Sequence, residues 1–406
     1  MRQSAGVPAV IKGCAVAAGI IIAILGVMTG AAFLLQLIFT PDELQIDGAA
    51  AGISCVILGI VMGAALAWQG GQALAGKPSA VFRLPGLVAL AALYIFALVV
   101  GQLLLSFNLI PLVTFPLFHI LAAIIPPLFI LTFAVQRLAS ANFRWRDMIV
   151  QLTGGAFLAT SLAFFVEIFL GIAILLITFF IAALTPGGNV FLQELGNNLQ
   201  DPVWLENPAN LQGLMLFPPV FITIALVFIV VAPLTEEAAK LLGVTLMSYR
   251  QPKPAQFFGW GLAAGAGFAL VENLFNTVLA LDVWVFVMLL RIGGTGMHCL
   301  GAGLSSLGWH NFLTTRRPWR LLGAYAVAVV IHALWNGAVI TMAGVSIFAV
   351  NSPGQLTLTL VGLVVLLMLA LLIGLTIAII AALVIVTIRL RNAENYSMEN
   401  GSGTGS

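Results

Sequence analysis

The sequence predicts an all-α polytopic membrane protein with about ten transmembrane helices and both termini in the cytoplasm. Three observations support this fold class. Of the 406 residues, 61% are hydrophobic and 7% are charged, whereas about one-quarter of a soluble domain is charged. The apolar residues form runs of roughly 20 or more, the length with which an α-helix crosses a bilayer. Lysine and arginine collect in alternate connections between the runs, as the positive-inside rule requires.

The apolar runs mark the predicted spans in order. They lie at residues 14–39, 51–68, 84–107, 111–135, 148–184, 217–247, 256–281, 284–309, 320–347 and 357–388. The fifth run is long enough for one tilted helix with an extension or for two short helices around Gly171, and the charge distribution favours one span. With this topology, every lysine and arginine except Lys240 and Arg291 lies in a predicted inner segment.

We predict four regions along the chain. Residues 1–215 form an N-terminal membrane region of five helices with an outer loop at 185–216, residues 217–347 form a four-helix core, residues 348–391 contain the last transmembrane helix, and residues 392–406 form a flexible tail. The tail is assigned from its polar, Gly/Ser-rich composition. The three cysteines show neither a disulfide framework nor metal-type spacing.

Charged residues inside the predicted core are the main functional signal. Glu236, Glu237 and Lys240 share the sixth span, Glu272 lies in the seventh and Arg291 in the eighth. Each charge near a helix centre costs about 2.5–3.5 kcal/mol on the membrane-insertion scale. Intramembrane ionisable residues therefore indicate function by default.

Helical spacing groups these side chains. Residues three or four apart share a face, so Lys240 can neutralise Glu236 or Glu237, and Pro233 can kink the helix one turn before them. The same rule places Gly261, Gly265, Phe268 and Glu272 on one stripe of the seventh span, which a neighbouring helix can approach closely because of the small residues. It groups Arg291 with Gly294 or Thr295 and with His298 in the eighth span, and His332 with Asn336 in the ninth. Arg291 is expected to be a counter-ion for a carboxylate. Single polar residues elsewhere, Glu167, His119 and His310, are expected to be structural.

The charge balance of the spans predicts an additional neutralising group. If all of them ionise, the spans contain Glu167, Glu236, Glu237 and Glu272 against Lys240 and Arg291. The excess negative charge requires protonated carboxyls, charged histidines or a bound divalent cation, because an uncompensated buried charge shifts its protonation or recruits a partner.

Four ordered motifs on successive spans resemble the PrsW family of intramembrane proteases. They are "EEAAK" at 236–240, "FALVEN" at 268–273, "RIGGTGMH" at 291–298 and "HALWN" at 332–336. The resemblance covers about 230–336, and the first five spans add nothing that we can assign to the family. The family is distantly similar to the CAAX prenyl endopeptidases and to the scaffold subunit of gamma-secretase.

The resemblance implies hydrolysis of a peptide bond in a membrane-anchored protein, in bacteria typically a single-pass regulator such as an anti-sigma factor. Glu236 or Glu237 would be the general base, a histidine would stabilise the oxyanion, and Asn336 would be a further donor. Lys240, Arg291, Phe268 and Asn273 would support the site. A possible Zn²⁺ would bind His298, His332 and Glu272, with the glutamate pair activating water. The sequence leaves the metal-free and zinc mechanisms open.

Two other function classes use the same residues. A proton- or ion-coupled transporter would use the carboxylates and histidines as a relay, and a catalytically silent scaffold would bind a partner's transmembrane helix through the glycine stripe. For the protease we expect a plasma-membrane protein of a bacterium, with the lipid bilayer and a membrane-anchored substrate as partners and no nucleic acid. The sequence does not indicate an oligomeric state.

Overall fold

The computed structural model describes residues 9–39, 45–107, 110–201, 203–204, 207–250, 252–351 and 354–401. The α-helices are α1 Ala9–Gln36, α2 Gln45–Leu74, α3 Leu87–Ser106, α4 Pro111–Arg137, α5 Trp145–Thr153, α6 Thr160–Ala183, α7 Pro186–Asn198, α8 Pro208–Leu216, α9 Pro218–Leu226, α10 Ala232–Met247, α11 Pro254–Asn276, α12 Trp284–Thr315, α13 Pro318–Asn351 and α14 Gln355–Gly401. Six helices begin at proline, whose fixed φ and missing N–H suit the first helical position. Within the described residues, the all-α prediction is confirmed.

Ten helical segments in the described part of the chain are long and apolar enough to cross a membrane, and they correspond in order to the predicted spans. The protein is an integral membrane protein. The fifth span is one segment, Trp145–Ala183, so the alternative of two helices around Gly171 is wrong. Its irregularity is a π-helical segment at Gly154–Ala159. A side chain at Gly155 would overlap the carbonyl group of Ala264, so the π segment and the backbone of α11 are in close contact there.

Two polar segments are more ordered than their composition indicates. The predicted outer loop contains α7 and α8, and α7 begins with a cap in which the Thr185 hydroxyl accepts a hydrogen bond from the Gly188 N–H at 3.1 Å. The last helix continues into the predicted flexible tail as far as Gly401, and Ser140 donates a hydrogen bond to Glu394. The local composition of the tail does not predict this tertiary contact. Residues 402–406 of the tail lie outside the described part.

The chain divides into two compact units that alternate along the sequence. Unit 1 comprises Met1–Thr160, Glu237–Ala328 and Thr376–Ser406, and unit 2 comprises Ser161–Glu236 and Val329–Leu375. The boundaries between them fall inside four continuous helices, α6, α10, α13 and α14. The four consecutive regions derived from the sequence stay a prediction.

In unit 1, α11 is the most enclosed helix, because its small residues admit its neighbours. Side chains added at Gly261 and Gly265 would overlap the carbonyl groups of Ala302 and His298 on α12. The predicted close approach along this stripe is confirmed. His119 is used in the same packing, since its Nε2 lies 2.9 Å from the Leu274 carbonyl oxygen and its Nδ1 accepts a hydrogen bond from Trp284 at 3.1 Å. These contacts fit the structural role expected for His119.

Unit 2 contains α6 to α9, the start of α10, and parts of α13 and α14. The Thr178 and Thr223 hydroxyls lie 3.1 Å apart and join α6 to α9. Between α9 and α10 the helix has a second π segment, Val227–Val231. The predicted distortion before Pro233 therefore takes the form of one wide helical turn.

Candidate active site

In unit 1, α10 positions Glu237 and Lys240 one turn apart in a buried ion pair. Lys240 Nζ lies 2.7 Å from Glu237 Oε1 and 2.7 Å from His298 Nδ1. The same ammonium lies 4.2 Å from the centre of the Phe268 ring, a cation–π distance. Glu237 is 0% and Lys240 1% exposed. Lys240 thus compensates the charge of the Glu237 carboxylate, which is buried away from water.

His298 links this pair to Glu272. Its Nε2 lies 2.7 Å from Glu272 Oε2, while its Nδ1 faces Lys240. An ammonium group can only donate hydrogen bonds, so Nδ1 accepts from Lys240 and Nε2 carries the proton that is donated to Glu272. The hydrogen bonds fix the tautomer of His298 and engage both ring nitrogens.

Glu272 is held by a second cation. Arg291 donates from one terminal nitrogen to Glu272 Oε2 at 2.6 Å and from Nε to Asn273 Oδ1 at 2.6 Å. Asn273 in turn donates to Thr295 Oγ1 at 3.0 Å. Arg291 is therefore a counter-ion of a carboxylate, as expected, and the structure identifies this carboxylate as Glu272. The charges of this group balance, because Glu237 and Glu272 meet Lys240 and Arg291.

Gly301 belongs to this group although the sequence did not single out its role. It lies three residues after His298 on α12, and a Cβ there would lie 2.7 Å from Glu237 Oε2. The glycine makes room for the carboxylate. Its spacing from His298 was the available signal, but glycine is common in membrane helices and the sequence does not show which residue faces it.

Replacing Gly301 by alanine is expected to displace the Glu237 carboxylate. Overpacking of this kind costs about 1–3 kcal/mol, so thermal unfolding of the detergent-purified protein should occur at a lower temperature. Gly323→Ala is the matched control, because no atom lies within 4 Å of the added methyl and alanine is the better helix former. Equal unfolding temperatures for the two variants would contradict the packing argument.

In unit 2, Glu236 lies beside a histidine. Glu236 Oε2 and His332 Nε2 are 3.7 Å apart, and both side chains are buried. The unit contains no lysine or arginine, and His332 is its only histidine. Glu167, the other carboxylate of these spans, accepts a hydrogen bond from Thr235 at 3.0 Å. Two of the four span carboxylates, Glu167 and Glu236, thus belong to a unit whose sequence has no lysine or arginine.

The predicted pair on α13 has two different contacts within unit 2. His332 faces Glu236, whereas Asn336 Nδ2 donates to the backbone carbonyl of Phe228 at 2.9 Å. Phe228 belongs to the π segment that precedes α10. The amide for which the sequence analysis proposed an oxyanion contact therefore binds backbone.

Comparison with known protein families identifies the chain. A family model described as the PrsW family intramembrane metalloprotease matches residues 144–375, which is more than half of the chain. The chain belongs to this family. All four motifs lie within the match, so the predicted PrsW resemblance is confirmed. No curated protein and no solved structure matches the chain.

The PrsW match changes one expectation about the scaffold. It begins at residue 144 and includes the fifth span and the first part of α14, whereas the motifs cover only about 230–336. The match therefore extends the resemblance to the fifth span, in which the sequence analysis found no feature that it could assign to the family. The span is mostly apolar and its intramembrane Glu167 belongs to none of the four motifs, so residue-by-residue inspection detected no family feature there.

The PrsW description includes a metal, and unit 2 offers a donor pair that fits one. The 3.7 Å between Glu236 Oε2 and His332 Nε2 exceeds a hydrogen bond. It is close to the roughly 3.3 Å between two ligand atoms that each lie about 2.0–2.1 Å from a tetrahedral zinc ion. Carboxylate and imidazole are both zinc ligands. The set predicted from sequence, His298, His332 and Glu272, stays a prediction, and the structure adds Glu236 as a candidate.

Proposed function

We propose that the chain is a zinc-dependent intramembrane protease in which Glu236 and His332 are metal ligands and Glu237 is the general base. One observation carries this assignment: the two consecutive carboxylates have different partners. Glu236 Oε2 lies beside His332 Nε2, whereas Glu237 Oε1 lies beside Lys240 Nζ. If Glu236 and Glu237 had the same structural role, they would not need different surroundings. The sequence prediction that His298 or Glu272 supplies a further ligand stays a prediction.

Each protein group then has a defined task. When bound, zinc supplies Lewis-acid activation of water and of the scissile carbonyl. Glu237 accepts a proton from the attacking water and transfers it to the leaving amine, so that peptide and water become acid and amine. Lys240 keeps the carboxylate of Glu237 in place through its ion pair. Arg291 fixes Glu272, which orients His298.

The metal-free mechanism uses the same base with a different oxyanion donor. An imidazole N–H of His332 would then stabilise the negative charge on the carbonyl oxygen, because both ring nitrogens of His298 are engaged by Lys240 and Glu272. Zinc content distinguishes the two mechanisms, because only one of them requires a bound ion. The metal-free mechanism also assigns no role to the Glu236 carboxylate beside His332.

Purified wild-type protein is expected to contain one zinc per chain by elemental analysis. Glu236→Gln and His332→Ala should each lose it, because each removes a ligand atom, while His310→Ala should retain it. His310 packs against the Phe257 ring at 5.0 Å in unit 1 and is the matched histidine control. In isolated membranes, a zinc chelator should stop the appearance of shortened single-pass proteins. Zinc-free protein with full activity would overturn the metal assignment.

The substrate that we propose is a single-pass membrane protein of the bacterial plasma membrane, such as an anti-sigma factor. Mass spectrometry of membrane proteins with and without the active chain identifies it by its change in length. If no single-pass protein changes length and a proton flux across liposomes depends on Glu272, the ion-coupled transporter is supported instead. If Glu237→Gln and Glu272→Gln both leave the cellular phenotype intact, the scaffold reading is supported.

A further inference from the structure

In the π segment before α10, the Phe228 carbonyl lacks the backbone donor that it would have in a regular α-helix, because Ala232 N–H binds the Val227 carbonyl. In π spacing, the carbonyl of residue i accepts from the N–H of residue i+5. Ala232 N–H donates to the Val227 carbonyl in this way. The next donor in the series would be residue 233, which is proline and has no N–H. The Phe228 carbonyl therefore needs a donor from elsewhere.

Asn336 provides that donor. Its Nδ2 lies 2.9 Å from the Phe228 carbonyl oxygen. In regular α spacing, the carbonyl facing Pro233 would be that of Ile229, four residues earlier. The amide is thus bound to the carbonyl group that only the π spacing leaves open. Within unit 2, α13 contacts this region twice, with Asn336 at the wide turn and His332 at Glu236.

We propose that Asn336 is a positioning residue that replaces the N–H missing from Pro233, and that it thereby sets the face on which Glu236 meets His332. The wide turn contains one extra residue, and one residue corresponds to about 100° of rotation around the helix axis. Without the wide turn, Glu236 would point about 100° away from His332. Asn336 acts through the backbone of Phe228 and not on the substrate. The test of this inference by zinc affinity rests on the proposed metal site, whereas the test by thermal unfolding does not.

A double-mutant cycle in thermal unfolding tests the hydrogen-bond substitution. Asn336→Ala leaves the Phe228 carbonyl with no donor, and the unfolding temperature of the purified protein should fall by about 2–4 °C. Pro233→Ala restores an N–H at the π spacing. The double variant Pro233→Ala/Asn336→Ala should therefore regain most of the loss. If its unfolding temperature is as low as that of Asn336→Ala or lower, the inference is overturned.

Zinc affinity tests positioning separately from stability. Asn336→Ala should weaken zinc binding, measured by competition with a chromophoric chelator, by roughly 10- to 100-fold, the range for residues that orient metal ligands. The double variant should recover it. The control is Gly344→Ala on the same helix, whose Cβ would lie 2.8 Å from the Phe221 ring and which should lower stability without changing zinc affinity. Unchanged affinity in Asn336→Ala would overturn positioning. If wild type binds no zinc, the proposed metal site fails and the unfolding cycle alone decides the inference.

Discussion

Glu237→Gln is expected to reduce cleavage of the membrane-anchored substrate by roughly 10²–10⁴-fold, the contribution of a general base. The amide has nearly the same shape as the carboxylate but cannot accept the proton of the attacking water. Glutamine can still contact Lys240, so the variant should accumulate in the membrane. Metal content should stay at the wild-type level, because the proposed ligands Glu236 and His332 are intact.

The measurement is the ratio of full-length to shortened substrate in membranes that contain equal amounts of each variant. Glu194→Gln is the matched control, because Glu194 is an exposed carboxylate on α7 and its amide should leave cleavage unchanged. Full cleavage by Glu237→Gln, at normal protein level, would remove Glu237 from the mechanism. If Glu236→Gln then lost activity but kept its zinc, the roles of the two glutamates would be exchanged.

Lys240→Met is expected to have the largest effect on stability. Methionine fills much of the volume of the lysine stem, but the carboxylate of Glu237 loses the ammonium at 2.7 Å. Removing one partner of a buried ion pair costs about 3–5 kcal/mol, because an uncompensated charge is left in a low-dielectric site. His298 Nδ1 loses its donor in the same variant. The unfolding temperature in detergent should fall sharply.

A second variant separates this charge effect from lost packing. In Lys240→Met/Glu237→Gln both charges are absent, so most of the lost stability should return, since replacing a whole buried pair is often close to neutral. The double variant should remain inactive in substrate cleavage. If the two substitutions destabilise additively, the ion pair does not account for the burial of Lys240.

The positions of the spans could be predicted because they depend on local properties. Runs of apolar residues are long enough to be read without knowing their neighbours, and all ten agree with the helices of the described chain. Local irregularities within the helices were harder to predict from the sequence. The π segment at Gly154–Ala159 arises where Gly155 meets the backbone of α11, and Gly171, which looks equivalent in sequence, lacks a comparable backbone contact.

The candidate site was predictable as a set of residue types and faces. Spacing of three or four residues indicated that Lys240 can neutralise a glutamate, and the ion pair with Glu237 agrees with it. The counter-ion role of Arg291 was expected from its charge inside a span, and its partner is Glu272. The same spacing grouped His332 with Asn336, but it did not reveal that the amide binds the Phe228 carbonyl. That contact joins residues more than one hundred positions apart, and it depends on a backbone spacing that hydrophobic periodicity does not show.

The sequence by itself determined the membrane class, the ten spans and the four helices that contain the candidate site residues. Hydrophobic length, basic-residue placement and helical spacing are fixed by the order of residues along each segment. Only the tertiary structure decided that Glu237 meets Lys240 and that Glu236 meets His332. Neighbouring residues of a helix point about 100° apart, and which partner each one meets depends on how distant helices pack.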